Sequence, residues 1–102
     1  MIQEDFEKIL ISMLAGIAEM KNEKEVWYID EFERKVAVEF PTGEVNFAIV
    51  RQYYDNGNRA WETEYRNCKR NGYSTNWYEN GTFAVKFLYK DDDLVYETRE
   101  FR

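Results

Sequence analysis

Two Asn-Gly dipeptides, Asn56-Gly57 and Asn80-Gly81, stand 24 residues apart, and each follows an aromatic pair and an acid: "YYDNG" at 53–57 and "WYENG" at 77–81. Asn-Gly between strand-forming residues is the strongest short-range hairpin signal. A type I′ turn needs positive φ at both central positions, which Asn tolerates and Gly prefers. The echo extends further at the same offset: Ala60 meets Ala84, Tyr65 meets Tyr89, Arg66 meets Lys90, and Asn67-Cys68 meets Asp91-Asp92. At an offset of 25 a fainter copy precedes it, with Tyr28-Ile29-Asp30 on Tyr53-Tyr54-Asp55, Arg34 on Arg59, and Glu31-Phe32 where Asn-Gly would stand. The chain therefore reads as three hairpin units, 28–52, 53–76 and 77–102, none of which buries a face alone.

Ahead of the units, residues 1–25 predict an amphipathic helix. Ile2, Phe6, Ile9, Leu10, Met13, Leu14, Ile17 and Met20 follow the i, i+3, i+4, i+7 rhythm. Glu4 and Asp5 suit the positive end of the helix dipole, and Lys21 and Lys24 the negative end. Gly16 costs about 1 kcal/mol against Ala within a helix, which suggests close approach to a packing partner. The period then falls to two: Val36, Val38 and Phe40 alternate with Ala37 and Glu39, and Val45, Phe47 and Ile49 with Asn46, Ala48 and Val50. Strands are expected near 26–31, 34–40, 44–54, 58–66, 72–79, 82–90 and 94–101. The fold class is α+β, one domain over 1–102, with the helix packed on an antiparallel meander.

Composition agrees with a small β-rich domain: aromatics make up 18% of the chain, with a single proline. The longest apolar run, Ile9-Leu10-Ile11, is too short to span a membrane, and Glu4, Asp5 and Glu7 do not suit a basic leader segment. One cysteine, Cys68, forms no internal disulfide, so the expected setting is cytoplasmic. Net charge is −6: residues 1–50 hold 11 acids and 5 bases, while 51–102 hold 9 of each. Such a chain does not seek phosphate backbones; if charge steers association, the partner is basic.

The chemistry of an enzyme is hard to find. There is no histidine, so the commonest general base and metal ligand are absent, and neither serine sits in a nucleophile motif. Cys68 lies among Arg66, Lys69 and Arg70, which would favour a thiolate, yet it more simply replaces glycine in a turn. The acids Asp91, Asp92 and Asp93 lack the alternating ligand spacing of a calcium loop. Glu62 and Glu64 share a strand face and should pair with cations on neighbouring strands. No cofactor or metal is implied, and the aromatics are expected to pack the sheet.

"YYDNGNRAWETEYRNCKRNGYSTNWYENG" resembles the MORN variant repeat, whose units run aromatic-Tyr-Glu-Asn-Gly, a strand, a Gly-containing turn, then the next aromatic pair. The resemblance covers 53–81, and Cys68 and Asp92 stand where the repeat carries Gly. It implies a stacked-hairpin scaffold. Small bacterial proteins built from such repeats include the YwqK family of antitoxin and immunity proteins.

Together these features favour a non-catalytic, acidic inhibitor of a basic, nucleic-acid-binding protein such as a nuclease or toxin. Its carboxylates would stand in for phosphates, as in an antitoxin, an immunity protein or a phage anti-defence protein of the anti-CRISPR kind. The expected contacts are Asp30, Glu31, Glu33, Asp91, Asp92 and Asp93, with neither nucleic acid nor membrane bound directly. The alternative is an assembly module whose last strand is an open edge for homo-oligomers or a larger complex.

Overall fold

The computed structural model describes residues 3–99 of the chain, with side chains from 9 to 98. Helix α1 runs Gln3–Lys21 and is followed by β1 (Glu25–Ile29), β2 (Lys35–Glu39), β3 (Phe47–Tyr53), β4 (Arg59–Arg66), β5 (Lys69–Trp77), β6 (Phe83–Lys90) and β7 (Asp93–Arg99). All seven strands form one antiparallel meander in chain order, β1 to β7, which leaves β1 and β7 as its two edges. Among the described residues no helix is long and apolar enough to cross a membrane.

The helix stops four residues before the sequence expectation. Asn22 turns left-handed (φ 55), its N–H donates to the Glu19 carbonyl at 3.1 Å, and the Glu23 N–H donates to Ala18 at 2.9 Å. That is the Schellman closure, and asparagine is among the few residues that accept its φ. The Phe40 N–H then ties to the Lys24 carbonyl at 2.7 Å and fixes the helix exit against β2.

The core lies between α1 and one end of the sheet. Ile11, Leu14 and Ala18 pack on Val26, Val36, Val38, Phe40, Ala48 and Tyr65, with Leu10, Ala15, Tyr28, Val50 and Cys68 at its margin. Of the apolar stripe that the spacing predicted, Leu10 and Leu14 do face the core, but the rest of its described residues do not. Ile9, Met13, Ile17 and Met20 are exposed, and Ala15 and Ala18 face the sheet instead, where their small side chains let the helix lie close. Gly16 is not a contact with the sheet either; a Cβ there would meet nothing within 4 Å. Ile2 and the Phe6 side chain lie outside the described residues. In β3 the smaller Ala48 and Val50 face the core, and Val45 falls in the β2–β3 loop, which runs on past Pro41-Thr42-Gly43 to Asn46.

The hairpin turns invert the expected assignment. Asn56 does not have positive φ; only Gly57 does (φ 91), with its N–H on the Tyr54 carbonyl at 2.9 Å and Tyr54 N–H on Asn58 O at 2.8 Å. This is a type I turn closed by a left-handed residue, the G1-bulge form, and Asn80-Gly81 repeats it with Gly81 N–H on Tyr78 O at 2.9 Å. The β1–β2 turn has the same bonds, Glu33 N–H to Asp30 O and Asp30 N–H to Arg34 O, both 3.0 Å, with Glu33 (φ 62) in the glycine's place. Positions 33, 57 and 81 correspond at a spacing of 24, so the offset of 25 for the first turn was one residue out. The two-residue I′ turns are instead Asn67-Cys68 (φ 52 and 64) and Asp91-Asp92 (φ 49 and 72).

Candidate functional site

Alternate hairpin turns emerge at the same end of a meander. The turns 30–34, 54–58 and 78–82 therefore share one end, and 67–68 and 91–92 the other. That separates the six acids read from the sequence. Asp30, Glu31 and Glu33 belong to the first end beside the β1 edge; Asp91, Asp92 and Asp93 belong to the second, beside the β7 edge. They do not form one patch.

Two of the six are also internal braces. Asp30 Oδ1 accepts from the Phe32 and Arg34 N–H groups at 2.9 Å each, and Oδ2 accepts from Gln52 Nε2. Partial burial pushes the Asp30 carboxyl up, but these donors and the Arg34 charge outweigh it and hold the group below the ordinary aspartate range. Asp92 Oδ1 accepts from Arg70 N–H at 2.7 Å and Arg70 Nε at 3.3 Å, while its Oδ2 is buried without a partner. Asp91 takes a long bond from Asn71 Nδ2 at 3.2 Å. Glu31, Glu33 and Asp93 are exposed.

What the first end does assemble is an aromatic groove. A cavity of about 750 Å³ is lined by Trp27, Tyr28, Ile29, Tyr53, Tyr54, Gly57, Glu33, Asp55 and Lys35. Trp27 on β1 stacks on Tyr53 of β3 with ring centroids 5.4 Å apart and planes 24° from parallel. Trp27 is 51% exposed and Phe32, in the adjoining turn, 71%. Arg34 lies 5.6 Å over the Tyr54 ring, and the Tyr54 hydroxyl donates to the Trp77 carbonyl at 2.7 Å, so that wall is fixed. Asn56 and Asn58 anchor the same turn to the Glu79 carbonyl at 2.8 and 2.9 Å. A rigid aromatic wall with carboxylates at its lip matches the anatomy of a protein interface, where aromatic anchors carry most energy and charged rims set partner choice.

The rest of that sheet face is self-satisfied. Arg51 donates from Nε to Glu62 at 2.7 Å and from Nη1 to Glu39 at 3.0 Å, and Arg59 reaches the same Glu62 oxygen at 3.3 Å. Glu62 thus pairs across strands as the sequence suggested, whereas Glu64 accepts the Tyr73 N–H at 3.1 Å. On the helix side, a smaller cavity of about 320 Å³ spans Tyr28, Asp30, Gln52, Trp61, Tyr65 and Arg70 over a buried Thr63–Ser74 hydroxyl pair at 2.8 Å. Cys68 is half-buried against the core. Among the described residues no three His, Cys, Asp or Glu side chains are grouped as metal ligands are.

The aromatics were expected to pack the sheet, and nothing in that expectation pointed to this groove. Its signals were Trp27 on the first strand of the sheet, hence at an edge, and the adjacent Tyr53-Tyr54 pair, both of which line the groove. Compared with known proteins, the chain matches no family model, no curated protein and no solved structure.

Proposed function

We propose that this chain is a non-catalytic protein-binding inhibitor that engages a basic, nucleic-acid-binding protein through the groove at the β1–β2 end of its sheet. The observation that carries the reading is the pairing of apolar anchors, exposed Trp27 and Ile29 with half-buried Tyr53 in the groove and exposed Phe32 in the adjoining turn, with the acids Glu33 and Asp55 that line the groove and Glu31 in the same turn as Phe32. Arginine and lysine side chains gain from both, through the ring faces and the carboxylates. Asp30 contributes charge while bracing its turn, and Asp91 and Asp93 make a second, separate acidic point at the far end. The biological setting is that of an antitoxin, an immunity protein or an anti-defence protein.

The scaffold reading belongs with this proposal. Corresponding turn bonds at 30–34, 54–58 and 78–82 and paired I′ turns at 67–68 and 91–92 support three hairpin units of 24 residues, of the kind the MORN variant resemblance implies. Capture of the partner from the source cells, followed by calorimetry with purified components, tests the function. A basic partner whose affinity falls steeply with salt and is lost in Trp27→Ala supports it, and salt-insensitive binding contradicts it.

A second reading, an assembly module, rests on the β7 edge. There Leu94, Val95 and Tyr96 are exposed on a strand that, among the described residues, pairs on one side only, with β6. A sheet-to-sheet contact through β7 would extend the meander into a larger body.

A further inference from the structure

The two edges of the sheet are not alike. β7 begins on Asp93, carries Glu97, and meets β6 through a register shift at Leu88–Tyr89. β1 is guarded less. It pairs with β2 in unbroken register, contains no proline, and has its single charge, Glu25, at its first residue, where Oε1 accepts the Trp27 Nε1–H at 2.8 Å. Its inward bonds belong to alternate residues. Phe40 N–H donates to Lys24 O at 2.7 Å and Asp30 N–H to Arg34 O at 3.0 Å, and between them Val26 faces Val38 and Tyr28 faces Val36. In an antiparallel ladder the intervening residues turn their N–H and C=O groups the other way, so those of Glu25, Trp27 and Ile29 point out from the sheet. Among the described residues no strand pairs with them. Helix α1 packs on the Val26 face, so the face that carries Trp27 and Ile29, 51% and 60% exposed, is open.

We infer that β1 is a docking edge: an extended basic segment of the partner pairs with it as an added strand and sends alternate side chains into the groove. The inference rests on the groove reading above and adds the backbone to it. Residues of an added strand on the Trp27 face stand beside Trp27 and Ile29, and share the groove with the carboxylates of Glu33 and Asp55 and one cation, Lys35. Main-chain bonds give such a strand its hold, and the groove selects its side chains. Charge decides between occupants. Residues 23–35 and the 54–58 turn hold six acids, Glu23, Glu25, Asp30, Glu31, Glu33 and Asp55, against three bases, Lys24, Arg34 and Lys35. A second copy pairing β1 to β1 would bring two such surfaces together, whereas a basic segment complements one.

Amide hydrogen exchange read by NMR on the full chain tests this, with a blocked peptide of about eight residues that alternates arginine and threonine as the probe. A dissociation constant of about 0.1–1 mM is expected for so short a strand. With peptide at about ten times that constant, exchange at the Trp27 and Ile29 amides should slow about tenfold, while Val26 and Tyr28, already bonded to β2, change little. The same peptide methylated on every backbone nitrogen keeps its charge but cannot donate, and should bind at least about tenfold more weakly. Ile29→Pro removes an outward N–H and no ladder bond, so it should abolish the slowing at Trp27 with the melting temperature nearly unchanged. Binding that shifts the Trp27 indole without slowing either amide, or that survives N-methylation, overturns the docking edge and leaves the groove reading standing. No response of the indole at several times the expected constant overturns the docking edge and counts against the groove as well. Slow exchange at Trp27 and Ile29 in the protein alone, strengthening with its concentration, would place a second copy on the edge and overturn the inference.

Discussion

Trp27 and Tyr53 stack across an intervening strand: one is on β1, the other on β3, and Ala37, paired with Trp27 on β2, is completely buried beside them. A small residue on the middle strand is what lets two rings from its neighbours meet at 5.4 Å. Trp27→Ala should remove this contact at about 1 kcal/mol of stability, typical of an aromatic pair. Its effect on partner affinity should be larger, at least about 2 kcal/mol, as for an interface anchor. Urea melts beside calorimetry separate the two, and a stability loss that matches the affinity loss would make Trp27 only structural.

Glu33 occupies a left-handed position (φ 62) that Gly57 and Gly81 hold in the corresponding turns. Glu33→Gly should therefore stabilise the protein by about 1 kcal/mol while it weakens binding through the lost carboxylate. Opposite signs in one variant are the outcome to look for in paired melting and binding curves.

Arg51 serves both Glu39 and Glu62, and its replacement leaves Glu39 without its cation and Glu62 with only the longer bond from Arg59. Arg51→Met should cost about 1–2 kcal/mol near neutral pH, less than a fully buried pair because the network is partly solvated. The deficit should shrink with added salt, which screens a partly solvated network; chemical melts at low and high NaCl give the comparison.

Asp30 titrates below its ordinary value because its turn donors favour the ionised form. A lowered folded-state value means that the unfolded chain binds the proton first. The stabilisation is present above the ordinary value of 3.8 and is lost as pH falls from there through the folded value. Asp30→Asn should flatten that part of the stability–pH curve; an unchanged slope would remove Asp30 from the brace.

The fold class was legible because period-two alternation and the turn dipeptides act locally, and both survive into the meander. Turn type was not, because Asn56-Gly57 fits a two-residue I′ loop and a G1-bulge loop equally well. The choice was made by the Tyr54–Asn58 backbone pair, which a sequence does not display. The helix face was misread for a plainer reason. The predicted stripe holds Leu10 and Leu14, which do meet the core, but the buried face turns from there towards Ile11 and the small Ala15 and Ala18 and leaves Ile9, Met13, Ile17 and Met20 outside. The acids were visible but not their duties, since Asp30 and Asp92 are held by Gln52 and Arg70, residues 22 positions away from each in the chain.

The most direct test of the groove as a binding site is calorimetry of the captured partner against four proteins: wild type, Trp27→Ala, Glu31→Gln/Glu33→Gln and Asp91→Asn/Asp93→Asn, between about 50 and 300 mM NaCl. The groove account predicts a basic partner, tight binding that weakens with salt, near-complete loss in the tryptophan variant, and a reduced salt slope in the glutamate pair. The Asp91/Asp93 pair should change little. Undiminished binding by Trp27→Ala and Glu31→Gln/Glu33→Gln would contradict it.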